Sequence, residues 1–314
     1  MIGSAVGNEV AAVSAAHPRL TALITSAREA QPTATAIVYP KDAMVVEAAL
    51  VAARLGIIEP VFYGPAAARD FLGAAGAWPA QYRWVDTGDS PRAAALMAIA
   101  DAASGRVAML MKGSLHTDEL LGAVVARDSG LRGTGRLTHT FVFDLPRYHK
   151  LLAVTDAVVN ISPDLQTKAE SLIHAIALMQ KIGVATPKIA VLAAVETVNA
   201  SIPATVDART LTEWGVEGRF GAALVDGPLG FDNAISVHAA ETKGIVSAVA
   251  GDPDILLAPD LNCGNILYKS FVYIGGGECA GVVQGSRVPI VITSRADSLF
   301  SRVASCALAR ISLR

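Results

Sequence analysis

The segment Thr293-Ser294-Arg295-Ala296-Asp297-Ser298 places a hydroxyl, a guanidinium and a carboxylate side by side, directly after a run rich in Val and Ile. A guanidinium binds phosphate oxygens in a bidentate way that an ammonium cannot copy, and a carboxylate beside it can accept a proton. The same residues can instead form a helix cap with a local Asp and Arg pair. A second set lies in Asp260–Lys269, DLNCGNILYK. Asp260 closes an apolar run, Gly264 permits a tight turn, Asn265 can cap a helix, and Asn265 and Lys269 share a helix face at i,i+4 spacing. In Asp226-Gly227-Pro228-Leu229 with Phe231-Asp232-Asn233, a glycine allows close approach of a ligand to backbone. Asp232 or Asn233 can then orient an amide or hydroxyl group, or merely cap a helix beginning near Ala234. The fourth set, Lys112-Gly113-Ser114-Leu115-His116-Thr117-Asp118, offers backbone amides at a helix start with Lys112 and Ser114 nearby, which suits an oxyanion. An ordinary loop capped by Thr117 or Ser114 reads the same way. His116 lacks a partner at metal-ligand spacing, and Gly275-Gly276-Gly277 matches no dinucleotide fingerprint.

Each set follows an apolar run of strand length and precedes a segment of helical period. That arrangement gathers the polar groups at one sheet edge, where open parallel sheets bind ligands. In the first half the pattern predicts strands over 35–39, 60–63, 107–111 and 137–145, with helices over 42–55, 92–103 and 117–127. In the second half it predicts strands over 157–161, 188–195, 221–225, 255–258, 280–283 and 290–293, and a long helix over 165–182. Repeated βαβ units imply a right-handed, doubly wound sheet. Composition places a domain boundary near Pro146, where a β run ends among charged and aromatic residues.

Composition narrows the class. A chain of 314 residues can bury a large core and favours two lobes over one. It is 52% hydrophobic and 17% charged with 5% aromatics, so the interior must be built from Ala, Val, Leu and Ile, as in a sheet covered by helices. With 26 basic and 28 acidic residues and no long run of either sign, nothing suggests a nucleic-acid surface. Cys263, Cys279 and Cys306 have neither CxxC spacing nor a paired His ladder, so no zinc site or disulfide framework is indicated, and a reducing cytoplasm is expected. Charges interrupt every apolar run before a membrane span is reached, and the N-terminal residues lack the pattern of a signal peptide.

The order of the motifs is more specific than any one of them. GPLGFDNAIS, VAGDPDILLAPDLNCGNILYK, AGVVQG and TSRADS, preceded by YPKDAMVVEAALVAARLGIIEPVFYG, MKGSLHTDELL, GLRGTGRLTHTFVFDLP and TDAVVNISPDL, resemble the phosphate acetyltransferase and phosphate butyryltransferase family from about Thr35 onward. The resemblance implies reversible transfer of a short acyl group between coenzyme A and inorganic phosphate. It implies no metal, no permanently bound cofactor, coenzyme A or acyl-CoA as substrate, and a homodimer. The implied fold is α/β: two three-layer αβα domains of the isocitrate/isopropylmalate dehydrogenase-like type, with a cleft between them. The implied domains are 1–145 with 285–314, and 146–284. By similarity Ser294 and Arg295 match the family's serine and arginine pair. Lys112, Gly113 and Ser114 match its phosphate-side loop, and Asn265, Tyr268 and Lys269 line the cleft, with Asp232, Asn233, Asp260 and Gly264 as further binding candidates.

Two positions depart from the acetyl pattern. Where acetyl-specific members carry an aspartate seven residues after the serine, this chain has Ser301, so Asp297 is the substitute candidate for the base, with Asp232 or Asp260 as alternatives. Where those members tend to carry an arginine after the YK pair, this chain has Tyr273. Both departures resemble the butyryl-type branch. Two other readings are a decarboxylating NAD-dependent dehydrogenase of the same superfold and a coenzyme A binding protein impaired in catalysis.

Overall fold

Short runs of Val, Ile, Leu and Ala become strands because their side chains can be buried on a pleated surface, and helices between them begin where a Ser, Asp or Pro sets the first turn. A computed structural model describes residues 13–72, 81–294 and 296–314. Two compact units are present: the described residues through Gly135 together with Cys279–Arg314, and Arg136–Glu278.

The first unit holds β1 (Thr33–Val38), β2 (Ile58–Gly64), β3 (Arg83–Asp86), β4 (Met109–Lys112), β10 (Glu278–Gln284) and β11 (Ile290–Val291) in the order β3-β2-β1-β4-β11-β10. All neighbours pair in parallel except β10 with β11. Its helices are α1 (Pro18–Ala27), α2 (Ala43–Arg54), α3 (Ala66–Leu72), α4 (Pro91–Ala103), α5 (Thr117–Val125) and α11 (Leu299–Ser312). In α4, Ser90 accepts from the Ala93 amide, Pro91 opens the helix, and Ala94, Ala95, Ala98 and Ala102 are buried. Alanines on that face bring the helix close to β1, β2 and β4. Helix α11 packs against α1 and α2, and its residues from Phe300 to Ala309 are buried.

The second unit holds β5 (Thr138–Asp144), β6 (Leu152–Thr155), β7 (Lys188–Leu192), β8 (Leu224–Leu229) and β9 (Ile255–Leu257) in the order β5-β6-β9-β7-β8. Only β5 runs antiparallel to its partner here. The helices are α6 (Leu165–Lys181), α7 (Pro203–Val216), α8 (Phe231–Ile235), α9 (Val237–Thr242) and α10 (Leu261–Tyr273). Among the described residues no helix is long and apolar enough to cross a membrane.

The structure departs from the expected organisation at the unit boundaries and at two segments near them. The units part at 135/136 and 278/279, not near 145 and 284. The β run at 138–144 pairs with β6 from Thr140 opposite Thr155 to Phe143 opposite Leu152, which ties it to the second unit. The apolar segment 157–161 is not a strand. Asp156 Oδ1 accepts from the Val158 and Val159 amides, both at 2.9 Å, and folds the chain into a turn as β6 ends.

Candidate active site

In the first unit β4 lies between β1 and β11, and Ile290 and Val291 face Leu110 and Met111 in parallel register. The turn after β4 and the turn after β11 therefore emerge side by side, which brings Lys112, Gly113 and Ser114 next to the segment containing Ser294. The amides of Gly113 and Ser114 are taken up at the end of β1. The Gly113 and Ser114 amides donate to Val38 O and Tyr39 O, both at 2.8 Å. Gly113 is needed for that contact, because a Cβ there would lie 2.4 Å from Val38 O. Lys112 Nζ donates to Gly113 O at 3.1 Å and Leu115 O at 3.0 Å, which braces its own loop. Helix α5 starts after His116, not Thr117, and the His116 amide donates to Glu119 Oε2 at 2.9 Å.

A cluster that the sequence did not signal stands at the end of β1. Tyr39 has φ of 55°, in the left-handed region that a tyrosine rarely adopts. Its hydroxyl donates to Asp89 Oδ1 at 2.5 Å, Lys41 Nζ meets the same oxygen at 3.0 Å, and the Lys41 amide donates to Ser114 Oγ at 3.2 Å. The hydrogen bond from Tyr39 and then that from Lys41 hold the Asp89 carboxyl below the usual carboxylate range.

The turn after β11 is closed from two sides. Asp297 Oδ2 accepts from the Ser294 amide at 2.6 Å, and the Asp297 amide donates to Ser294 O at 3.2 Å. Thr293 is buried and Ser294 is exposed. From beneath, Arg302 donates to Thr293 Oγ1, Ser294 O and Asp297 O. Ser298 caps α11 by accepting from the Ser301 amide at 3.0 Å. Ser301 itself is buried, and its hydroxyl accepts from the Cys279 amide at 3.2 Å. Arg295 lies outside the described residues.

In the second unit the nominated residues divide sharply. Asp260 caps α10 by accepting from the Cys263 amide at 3.0 Å, which leaves Asn265 inside the helix and corrects the cap expected there. A Cβ at Gly264 would meet Asp156 O at 2.4 Å, so this glycine lets α10 lie against the end of β6. Asn265 Nδ2 reaches Ala157 O at 3.4 Å. Together with Ala157, Val158, Leu261, Asn262 and Ile266 it lines a cavity of about 350 Å³. Tyr268 points into the core, where its ring stacks on Phe141 at 4.3 Å and 12°. Lys269 is exposed. Asp232 is exposed and pairs with Lys243 at 3.0 Å, and this hydrogen bond lowers its pKa. Asn233 is fully buried, and neither its amide oxygen nor its amide nitrogen has a hydrogen-bond partner.

Asp156 is the residue of this edge that was missed. Beyond the two valine amides, its Oδ2 accepts from Asn160 Nδ2 at 2.7 Å and the His139 amide at 3.2 Å. Burial raises its pKa against the pull of these four bonds. Val159 and Asn160 then line a second cavity, of about 260 Å³, with Arg136, Ser162, Asp164 and Thr167. The signal was present in TDAVVN: an aspartate at the end of an apolar strand, followed by two valines and an asparagine. Among the described residues no group of three or more His, Cys, Asp or Glu side chains is arranged to hold a metal ion.

Comparison with known proteins adds an independent line. Residues 85–310 match the family model described as phosphate acetyl/butaryl transferase. A phosphate acetyltransferase of Rhizobium meliloti is 43% identical over 289 residues, which cover 92% of each chain. A phosphate butyryltransferase of Clostridium beijerinckii is 37% identical over 230 residues, 73% of this chain and 76% of that one. Among solved structures, a branched-chain phosphotransacylase from Enterococcus faecalis V583 superposes with a TM-score of 0.76 at 28% identity, covering 89% of this chain and 99% of that one.

Proposed function

The chain belongs to the phosphate acetyl/butaryl transferase family, and we propose on that premise that it carries a short acyl group reversibly between coenzyme A and inorganic phosphate. The observation that carries this reading is the 43% identity to a phosphate acetyltransferase across 92% of both chains. A structural feature agrees with it: an exposed serine on a turn that the fold holds rigidly at the carboxyl edge of a parallel sheet.

In the thiol-to-acyl-phosphate direction, coenzyme A sulfur attacks the acyl carbonyl and phosphate departs. Ser294 orients the sulfur or carbonyl, Arg295 neutralises phosphate, and Asp297 takes the thiol proton. Ser301 cannot replace the missing aspartate, since its hydroxyl already serves the β10 backbone. Asp260 is engaged as a cap, Asp232 as the partner of Lys243 and Asp297 as the acceptor of the Ser294 amide; of the three, Asp297 is the preferred base because it lies on the same turn as Ser294. On the second unit Asn265 and Lys269 remain as contacts for coenzyme A, and the buried Asn233 amide is a polar group that gains from acquiring a partner. Gly113 and Gly264 serve by permitting close backbone approach, and Lys112, Ser114 and Tyr268 by supporting their loops and core. Ser301 and Tyr273 favour the butyryl-type side of the family. A homodimer in the cytoplasm, using acyl-CoA and phosphate with no resident cofactor, completes the reading.

The test is release of coenzyme A thiol from acetyl-CoA, butyryl-CoA and a branched acyl-CoA, each with and without phosphate. Release should require phosphate, and Arg295→Ala should lower it about 10²–10³-fold with the melting curve unchanged. Release that ignores phosphate sinks the function, and parental turnover in the variant removes Arg295 from the mechanism.

A further inference from the structure

Helix α11 begins at Leu299, and Arg302 in its first turn is 1% exposed. A buried guanidinium costs several kcal/mol of desolvation unless its five N–H donors are matched, and a methionine would fill the same space without that cost. Three of the donors go to one place. Nη2 donates to Ser294 O at 2.8 Å, Nη1 to Thr293 Oγ1 at 3.0 Å, and Nε to Asp297 O at 3.3 Å. The three acceptors lie before, at and after the segment that carries the exposed serine. Drawing the Ser294 carbonyl inward leaves its side chain to face out.

The helix that supplies Arg302 is itself anchored. Ser301 Oγ accepts from the Cys279 amide at 3.2 Å, and Ser305 Oγ accepts from the Gly281 amide at 2.9 Å, one helical turn further on. Both bonds tie α11 to β10. A continuous set of contacts therefore runs from β10 through α11 and the guanidinium to the turn. Ser301, at the position where an acetyl-type base was expected, is one of its fixed points.

We propose that Arg302 is a positioning residue for acyl transfer, holding Ser294 in reacting geometry from inside the fold. This rests on the reading that the Ser294 turn is catalytic. Lysine keeps the charge but not the planar fork, whereas methionine keeps the bulk and neither. Misplacement of a reacting group by about 1 Å can cost ~10²-fold in rate. Arg302→Met should therefore lower kcat by ~10²-fold and Arg302→Lys by ~10-fold, with KM for acyl-CoA within about twofold of the parent.

The experiment measures phosphate-dependent acyl transfer by the 314-residue chain, with circular dichroism and thermal melts of each variant. Ser294→Ala and the Ser294→Ala/Arg302→Met pair are run alongside. If Arg302 acts through Ser294, the double variant loses no more than Ser294→Ala alone. Folded Arg302→Met with kcat within twofold of the parent overturns the proposal, as do losses that multiply in the double variant. Where Arg302→Met does not fold, Thr293→Val removes one acceptor in an isosteric way. A ~3–10-fold fall in kcat then supports the proposal, and parental kcat overturns it. Parental activity in Ser294→Ala would instead sink the underlying site reading. An inactive Ser294→Ala beside fully active Arg302→Lys and Thr293→Val sinks the role of Arg302 alone.

Discussion

The turn after β11 and the helix start after β9 carry similar residue types, yet the fold uses them in opposite ways. After β11, the chain is held by a guanidinium that arrives from the next helix, and Ser294 faces solvent. After β9, the nominated residues do the structural work themselves. Asp260 caps α10, Gly264 admits the helix to the end of β6, and Tyr268 stacks on Phe141. Asn265 lines a cavity there and Lys269 is exposed. A polar residue at a sheet edge is thus available for chemistry only after its local hydrogen bonds have been counted. After β11 the guanidinium shares the work of holding the turn with Asp297, which accepts from the Ser294 amide.

The contrast can be tested from both ends. On the β9 side, Tyr268→Ala should cost ~3–4 kcal/mol of stability by emptying the aromatic cluster. Urea melts check this, and an unchanged midpoint would return Tyr268 to the list of ligand contacts. On the β11 side, Asp297→Asn keeps an acceptor for the Ser294 amide but removes the carboxylate proposed as the base. We expect kcat to fall ~10²-fold with no change in melting temperature. Equal activity would reduce Asp297 to a cap like Asp260.

The same cluster on the β9 side contains His139, whose ring nitrogens are both buried without partners and whose centroid lies 4.3 Å from that of Phe141. Burial lowers its folded-state pKa to about 3. As pH falls from ~6.5, the unfolded chain binds a proton that the folded chain refuses. Its contribution is fully present above that range and is lost towards pH 3, at up to ~1.4 kcal/mol per pH unit. Melts at pH 7 and pH 5 should show a flatter dependence in His139→Phe than in the parent, and identical slopes would contradict the assignment. The smallest effect is expected at Lys269, which is exposed. Lys269→Ala should raise KM for acyl-CoA ~2–5-fold while shifting stability by less than ~0.5 kcal/mol. A KM equal to the parent's would leave Asn265 as the surviving contact of that helix face.

Much of the fold was legible because periodicity reports burial. The helices at 43–54, 91–103 and 165–181 and the strands at 58–64 and 138–144 lie within a few residues of expectation. Misreadings arose where one side chain overrides the local pattern. The segment after Thr155 is apolar enough for a strand, but the carboxylate of Asp156 gathers its amides into a turn. Helix α7 was not expected, and neither were the antiparallel pairings of β5 with the following β6 and of β10 with the following β11, which a pattern of repeated βαβ units does not foretell. At the candidate site, the spacing that marked Ser294 and Asp297 also held their mutual hydrogen bond. Nothing local marked Arg302 or the Tyr39, Lys41 and Asp89 cluster as parts of the same edges, whereas Asp156 carried a local signal in TDAVVN.

The sequence by itself determined the family, the α/β class and the turns that carry polar groups, because these follow from residue order, hydrophobic period and turn chemistry within short windows. The tertiary structure alone decided which of those groups are already engaged. Whether an amide, a carboxylate or an ammonium is available depends on the partner that folding brings to it, and those partners are set by strand order and helix packing. Gly113 meets Val38, Gly264 meets Asp156, and Ser301 meets Cys279.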